Sequence, residues 1–274
     1  VYWQNIRVLK VQPGKTFRNI KLKIGEIKMK SKVCKVILMF ALVMGFGLCL
    51  LNGEDHYWKF NETSGNIAND SLDHVNGTLN GCAAFLPGSE GVYLNGTDSS
   101  FVTFGKSVGQ FGTDDFSVYL DFKTNEKYRY FDIVGNRTAP SHGNFLSIRM
   151  TGKHEKWSEG ILVVEVDEDE SGKNHIVIYS GKSGLNDGYW HTLVVVRIGK
   201  NLALYIDGNP DRTGTSATGI ANIKNGNDFK LGRSLVDSQE NKFTPNAVYK
   251  NLYVYDRALT QNEIKEMFEK SKKK

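Results

Sequence analysis

Apolar residues along this chain fall in short runs punctuated by glycine, asparagine and aspartate. The runs are His56 to Phe60, Gly91 to Leu94, Ser100 to Phe104, Phe116 to Phe122, Phe131 to Val134, Phe145 to Met150, Gly160 to Val166, His175 to Tyr179, Trp190 to Ile198, Leu202 to Ile206, Phe229 to Leu231 and Ala247 to Tyr255. Runs of this length, rich in Val, Ile, Tyr and Phe and closed by turn residues, predict short strands. About a dozen of them predict an all-β sandwich or jelly roll, in which two antiparallel sheets bury their facing sides. One hairpin is sharply drawn: Trp190 to Ile198 turns through Gly199-Lys200-Asn201 into Leu202 to Ile206, and that strand stops at Asp207-Gly208. Only the end of the chain switches to a helical period. Thr260 is the expected N-cap, Glu263 completes a capping box, Leu259 staples against Ile264, and Ile264, Met267 and Phe268 form the apolar face. The closing Lys270, Lys272, Lys273 and Lys274 suit the negative end of the helix dipole.

Composition agrees with a folded β domain. Of 274 residues 40% are hydrophobic, with 28 Gly, 5 Pro and 3 Cys, which excludes a disordered chain, a collagen and a cysteine-stapled miniprotein. The net charge of +5 is unevenly placed, because ten of the 35 basic residues but only Glu26 among the 30 acids precede residue 54. The remainder is acidic, so nucleic-acid binding is excluded as a reading of the folded part.

The basic segment has the layout of an export signal: Lys28, Lys30, Lys32 and Lys35, then an uncharged run from Val36 to Leu51, then Asn52-Gly53-Glu54. Residues 29–53 are therefore expected to be a signal peptide, residues 1–28 translated upstream sequence, and residues 54–274 one domain, secreted and with no membrane span once the signal is cut. Sequons at Asn61, Asn69, Asn76, Asn95 and Asn136 fit a glycosylated extracellular protein. Cys34 and Cys49 lie in the signal, leaving Cys82 alone; beside Ala83, Ala84 and Phe85 it is expected to be buried.

The order of pieces resembles a known family. His56-Tyr57-Trp58-Lys59-Phe60, Asn69-Asp70, Gly91-Val92-Tyr93-Leu94-Asn95-Gly96, Asp115-Phe116-Ser117-Val118, Asp187-Gly188-Tyr189-Trp190-His191-Thr192, Leu204-Tyr205-Ile206-Asp207-Gly208, Leu231-Gly232-Arg233 and Asn251 through Leu259 follow one another as in a laminin G-like domain of the concanavalin A-like jelly-roll superfamily. The resemblance runs from His56 to Phe268. It implies recognition of a glycan or an extracellular glycoprotein, with a calcium ion held by loop carboxylates, for which Asp70, Asp98 and Asp256 are the candidates. Each is equally the ordinary turn or capping aspartate of such loops.

Sugar sites combine exposed aromatics with side chains that hydrogen-bond hydroxyls or pair with acidic groups. Trp157, Tyr128, Tyr130, Arg137, Arg149 and Arg233 fit by type; Trp157, in a polar loop, leads, and Arg233 matches the resemblance to lectin modules of sialidases. Trp190 and His191, which open an apolar strand, are assigned to the core. A hydrolase reading rests on Glu165-Val166-Asp167-Glu168-Asp169-Glu170, which resembles the Glu-x-Asp-x-x-Glu pattern of retaining β-glucanases, with Glu165 and Glu170 as the carboxylate pair. Alternation puts Glu165, Asp167 and Asp169 on one face, but the charged pair before Glu170 reads better as a strand running out into an acidic turn. No zinc-protease, phosphate-loop or serine-elbow motif is present.

Overall fold

The computed structural model describes residues 55–272 apart from 73, 98, 129, 138–140, 154–157 and 234–244. The expected upstream segment and signal peptide, Asp98 and Trp157 lie outside the described residues. In chain order the strands are β1 (His56–Trp58), β2 (Ile67–Ala68), β3 (Gly77–Asn80), β4 (Ala84–Phe85), β5 (Val92–Asn95), β6 (Phe101–Thr103), β7 (Phe116–Thr124), β8 (Phe131–Gly135), β9 (Phe145–Met150), β10 (Leu162–Asp167), β11 (Ile176–Tyr179), β12 (Trp190–Ile198), β13 (Asn201–Ile206), β14 (Asn209–Thr215), β15 (Lys230–Leu231) and β16 (Asn246–Tyr255), followed by helix α1 (Gln261–Ser271).

These strands form two antiparallel sheets. One runs β14-β13-β12-β7-β16-β5-β4, with β1 beside the second half of β16; the other runs β11-β10-β9-β8-β15-β6-β3-β2. Alternation sends one side chain in two into the space between them, where Trp58, Phe104, Phe116, Phe122, Leu120, Ile148, Val164, Val195 and Leu231 make one continuous apolar core. Fully buried Trp58 keeps its polar end satisfied, its Nε1 donating to the Val75 carbonyl at 2.9 Å.

The two-residue hairpins follow from turn chemistry. Between β13 and β14, Asp207 (φ 52°) and Gly208 (φ 75°) both occupy the left-handed region, the pairing that a tight turn between twisted strands requires. Strand β14 then bends toward the other sheet: a Cβ at Gly214 would stand 2.9 Å from Ile176 Cγ2. Loops are held by a buried cation. The Arg197 guanidinium, 1% exposed and 4.8 Å from the Phe116 ring, donates to the carbonyls of Gly112, Asp114 and Ala221. Burial pulls its pKa down to about 10, still far above neutral pH.

Helix α1 begins as the sequence predicts. Thr260 Oγ1 accepts from the Glu263 amide, and the Glu263 carboxylate accepts from the Thr260 amide at 2.8 Å. Leu259 and Ile264 are buried together against Tyr119, Val194 and Val196 on the outer face of the first sheet. Three expectations are corrected. Cys82 is exposed, because its segment is a turn leading from β3 of one sheet to the two-residue edge strand β4 of the other and buries only Phe85. Trp190 is 39% exposed, because the first residue of β12 points away from the core; only its later residues are covered. Asn136 is 1% exposed and its amide donates to the Gly109 carbonyl at 3.2 Å, so that sequon has no room for a glycan, whereas Asn61, Asn69 and Asn76 are exposed. No helix among the described residues is long and apolar enough to cross a membrane.

Thr260→Ala removes the cap and is expected to lower unfolding free energy by about 1 kcal/mol, read from chemical denaturation.

Candidate functional site

Helix α1 covers only one half of the outer face of the first sheet. The uncovered half is a cleft of about 960 Å³, floored by β7, β12 and β16 and walled by the end of α1 and residues 88–90. Its floor is assembled across strands. Register places Thr192 opposite Asp121 and Asp121 opposite Lys250. Between Lys250 and Tyr253 the register of β16 shifts, and Asn251 at the bulge adopts φ 51°. The extra residue lets Lys250 and Asn251 both line the cleft before Leu252 returns to the core.

Asn251 is the hub of this floor. Its amide nitrogen donates to Asp121 Oδ2 at 2.8 Å and its carbonyl oxygen accepts from Tyr57 Oη at 2.9 Å. Thr192 Oγ1 donates to the other Asp121 oxygen at 2.5 Å. Burial raises the Asp121 pKa, and the Thr192 and Asn251 hydrogen bonds oppose that rise. Above the floor stands Trp190, with the ammonium groups of Lys250 and Lys123 at 4.9 and 5.4 Å from its ring centre. Tyr57 lies flat on Tyr253, their rings 3.8 Å apart, with Lys59 over its face.

On one flank, Asp207 receives His191 Nδ1 at 3.1 Å, Lys182 Nζ at 2.6 Å and the Thr192 amide at 3.0 Å. Burial alone would raise the Asp207 pKa, but the His191 and Lys182 hydrogen bonds hold it far below the ordinary carboxylate range. His191 answers in the opposite direction: the hydrogen bond to Asp207, with a second to Asp187 at 3.2 Å, raises its pKa.

A second polar assembly occupies the outer face of the other sheet. Glu165 Oε2 accepts from Arg137 Nη1 at 2.9 Å and from Arg149, and its Oε1 pairs with His175 Nε2 at 3.0 Å. Arg149 lies over the Tyr130 ring and Arg137 over the Phe145 ring, at 5.1 and 4.6 Å. Burial pushes the Tyr130 phenol up to about 12.

The sequence candidates are therefore dispersed. Tyr130 and Arg137 share this assembly through Arg149 and Glu165, whereas Arg233 lies 5.1 Å from the Phe101 ring beside β6. Tyr128 is exposed, beside Lys127, Lys153 and Glu159. Asp70 is a turn-organising carboxylate whose two oxygens take His56 Nδ1 and the amides of Tyr57, Leu72 and Val75. Asp256 stands in the exposed turn after β16, its amide donating to Asp55. Glu165 and Glu170 do not form a catalytic pair: β10 ends at Asp167, Glu170 lies in the exposed turn beyond it, and Glu165 is committed to two arginines. Trp190 and Asn251 were hidden in apolar runs. The readable signals were the position of Trp190 at the strand start, just after the Asp187-Gly188 turn, and an asparagine interrupting β16.

A family model described as Laminin_G_3, concanavalin A-like lectin/glucanases superfamily, matches residues 95–265. No curated relative matches in sequence. Among solved structures, the chain is similar to the binding domain of Paraclostridial Mosquitocidal Protein 1, at 16% identity and TM-score 0.60, over 78% of this chain and 53% of that one. It is similar to domain 4 of AbnA, a GH43 extracellular arabinanase from Geobacillus stearothermophilus in complex with arabinotriose, at 17% identity and TM-score 0.55, over 77% and 96%. It is also similar to Trypanosoma rangeli sialidase, at 13% identity and TM-score 0.57, over 79% and 32%. The chain thus spans about half of the first, nearly all of the second and about a third of the last. At these identities the likeness is one of fold, and that fold occurs in binding domains and within enzymes alike.

Two outcomes test the cleft geometry. Asn251→Ala is expected to cost roughly 1–3 kcal/mol by leaving Asp121 and Tyr57 short of a partner, and Asn251→Gly less, because it relieves the left-handed backbone; denaturant midpoints check the order. The raised His191 pKa contributes stability that is complete below the unfolded value of about 6.5 and is lost as pH rises through the folded value. The difference in melting temperature between the parent and His191→Gln is thus expected to be widest near pH 5.5 and to shrink toward pH 9.

Proposed function

This chain belongs to the concanavalin A-like lectin/glucanase superfamily, and we propose that within it the protein is a carbohydrate-recognition domain that binds a glycan in the Trp190 cleft without cleaving it. The observation that carries this reading is a solvent-facing indole standing over a floor of fixed hydrogen-bonding groups, Asp121, Thr192 and Asn251. A pyranose presents the complementary chemistry: an apolar C–H face for Trp190, and equatorial hydroxyls for carboxylate and amide. Fixing those polar groups before the ligand arrives lowers the ordering cost of binding. The cleft lining mixes Lys59, Lys250 and Lys272 with Glu90, Asp121 and Asp207, which suits hydroxyl-rich ligands over a strongly charged one. The similar arabinanase domain, described in complex with arabinotriose, supports the same reading.

Export, glycosylation at the exposed sequons and calcium assistance belong to this proposal. A glycan array probed with purified chain, once in calcium and once in EDTA, tests it. A hit is expected, and Trp190→Ala is expected to weaken it about tenfold, equivalent to about 1.4 kcal/mol. A blank array from folded protein, or binding indifferent to Trp190→Ala, would sink the assignment and turn attention to a protein partner.

A further inference from the structure

The turn that ends β10 brings together three groups remote from the Trp190 cleft. His142 lies just before β9, Asp167 closes β10 and His175 leads into β11. One ligand atom from each lies within 4.8 Å of the others. We propose that His142, Asp167 and His175 form a binding site for a divalent transition-metal ion of the zinc class.

The charge of Asp167 is the first argument. Its side chain is fully buried, yet among the described residues its only ionic partner is an imidazole, His142 Nδ1 at 2.7 Å, which is positive only when protonated. Neighbouring Glu165, more exposed, holds two arginines. A buried carboxylate without a permanent cation is costly unless a positive charge is supplied, and a metal ion supplies it.

Coordination capacity is the second. Among the described residues Asp167 accepts from His142, from the Gly143 amide at 3.3 Å and from the Glu168 amide at 3.0 Å, three donors that leave part of a carboxylate's acceptor capacity open. The other His-Asp-His group, His56, Asp70 and His74, differs here, because four donors already occupy Asp70.

Orientation is the third. His175 engages Glu165 through Nε2 at 3.0 Å and so keeps Nδ1 for a ligand, while His142 Nδ1, 2.7 Å from Asp167, faces the shared position and exchanges that hydrogen bond for the ion. For His175 the Glu165 carboxylate on the far nitrogen is the outer contact that fixes tautomer and ring direction in metal-bound histidines. The rings meet edge to face with centres 4.9 Å apart, and His142 is packed so closely on Gly172 that a Cβ there would come within 2.8 Å of its Cε1. Two imidazoles and one carboxylate select zinc-like ions over calcium, which prefers a shell of oxygens. Three protein ligands leave a further position for water, and His142, 46% exposed, gives the ion a route in.

Calorimetric titration of the untagged, EDTA-stripped full chain with zinc alone tests the site. About one equivalent is expected to bind and to raise the melting temperature, with calcium doing neither. His142→Ala and His175→Ala are each expected to weaken zinc at least about tenfold, while His74→Ala leaves it unchanged. Unchanged metal-free melting temperatures of the variants exclude misfolding as the cause. Absence of zinc binding, binding that survives the His142→Ala/His175→Ala double substitution, or binding lost with His74→Ala overturns the proposal.

Discussion

A single extra residue in β16 sets the geometry of the cleft. That strand is the spine of its sheet, paired along one side with β7 and along the other first with β5 and then with β1. A regular strand would have turned Asn251 toward the apolar interior. The bulge instead presents Lys250 and Asn251 to the same side and resets the alternation, so that Leu252 and Val254 return to the core while Tyr253 and Tyr255 meet α1. The left-handed backbone at Asn251 is held by its hydrogen bonds to Asp121 and Tyr57, whose strands pack on either side. Local strain and cleft floor are thus one feature.

The two outer faces solve the problem of buried charge differently. On the first sheet, Asp121 is held by hydrogen bonds from a threonine and an asparagine, with the charge of Lys250 on the neighbouring strand favouring its ionised form. On the second, Glu165 is locked between arginines stacked on Tyr130 and Phe145. Such a closed ion-pair set stiffens a face more readily than it opens to a ligand. The groups best suited by type to bind an acidic sugar are, in the fold, already bound to one another.

Strand positions were legible in sequence wherever both sheets or the helix covered the residues, as in β7, β10 and β12. They were illegible in β14, whose residues Asn209 to Thr215 carry no apolar run and become a strand only by pairing with β13. The two-residue strands β2 and β4 are equally silent. Alternation correctly set Glu165 and Asp167 on one face, but periodicity cannot say which distant segment will arrive there; His142 and His175 come from loops on either side of β10. Trp190 was misread because an apolar run marks where a strand is, and not whether its first residue is covered. The capping box of α1 was readable because all its contacts lie within a few residues.

The sandwich borders also bear on how the molecule behaves at high concentration. On one side β14 leans over β11, with Gly214 against Ile176 and Ile178, and its outward residues are polar or charged. The strands at the opposite ends of the two sheets, β4 and β2, are each two residues long. A foreign strand needs a long, flat, uncovered row of amides and carbonyls to add to a sheet. Here the long border is shielded and the open ones are too short, a design that resists edge-to-edge aggregation and fibril growth.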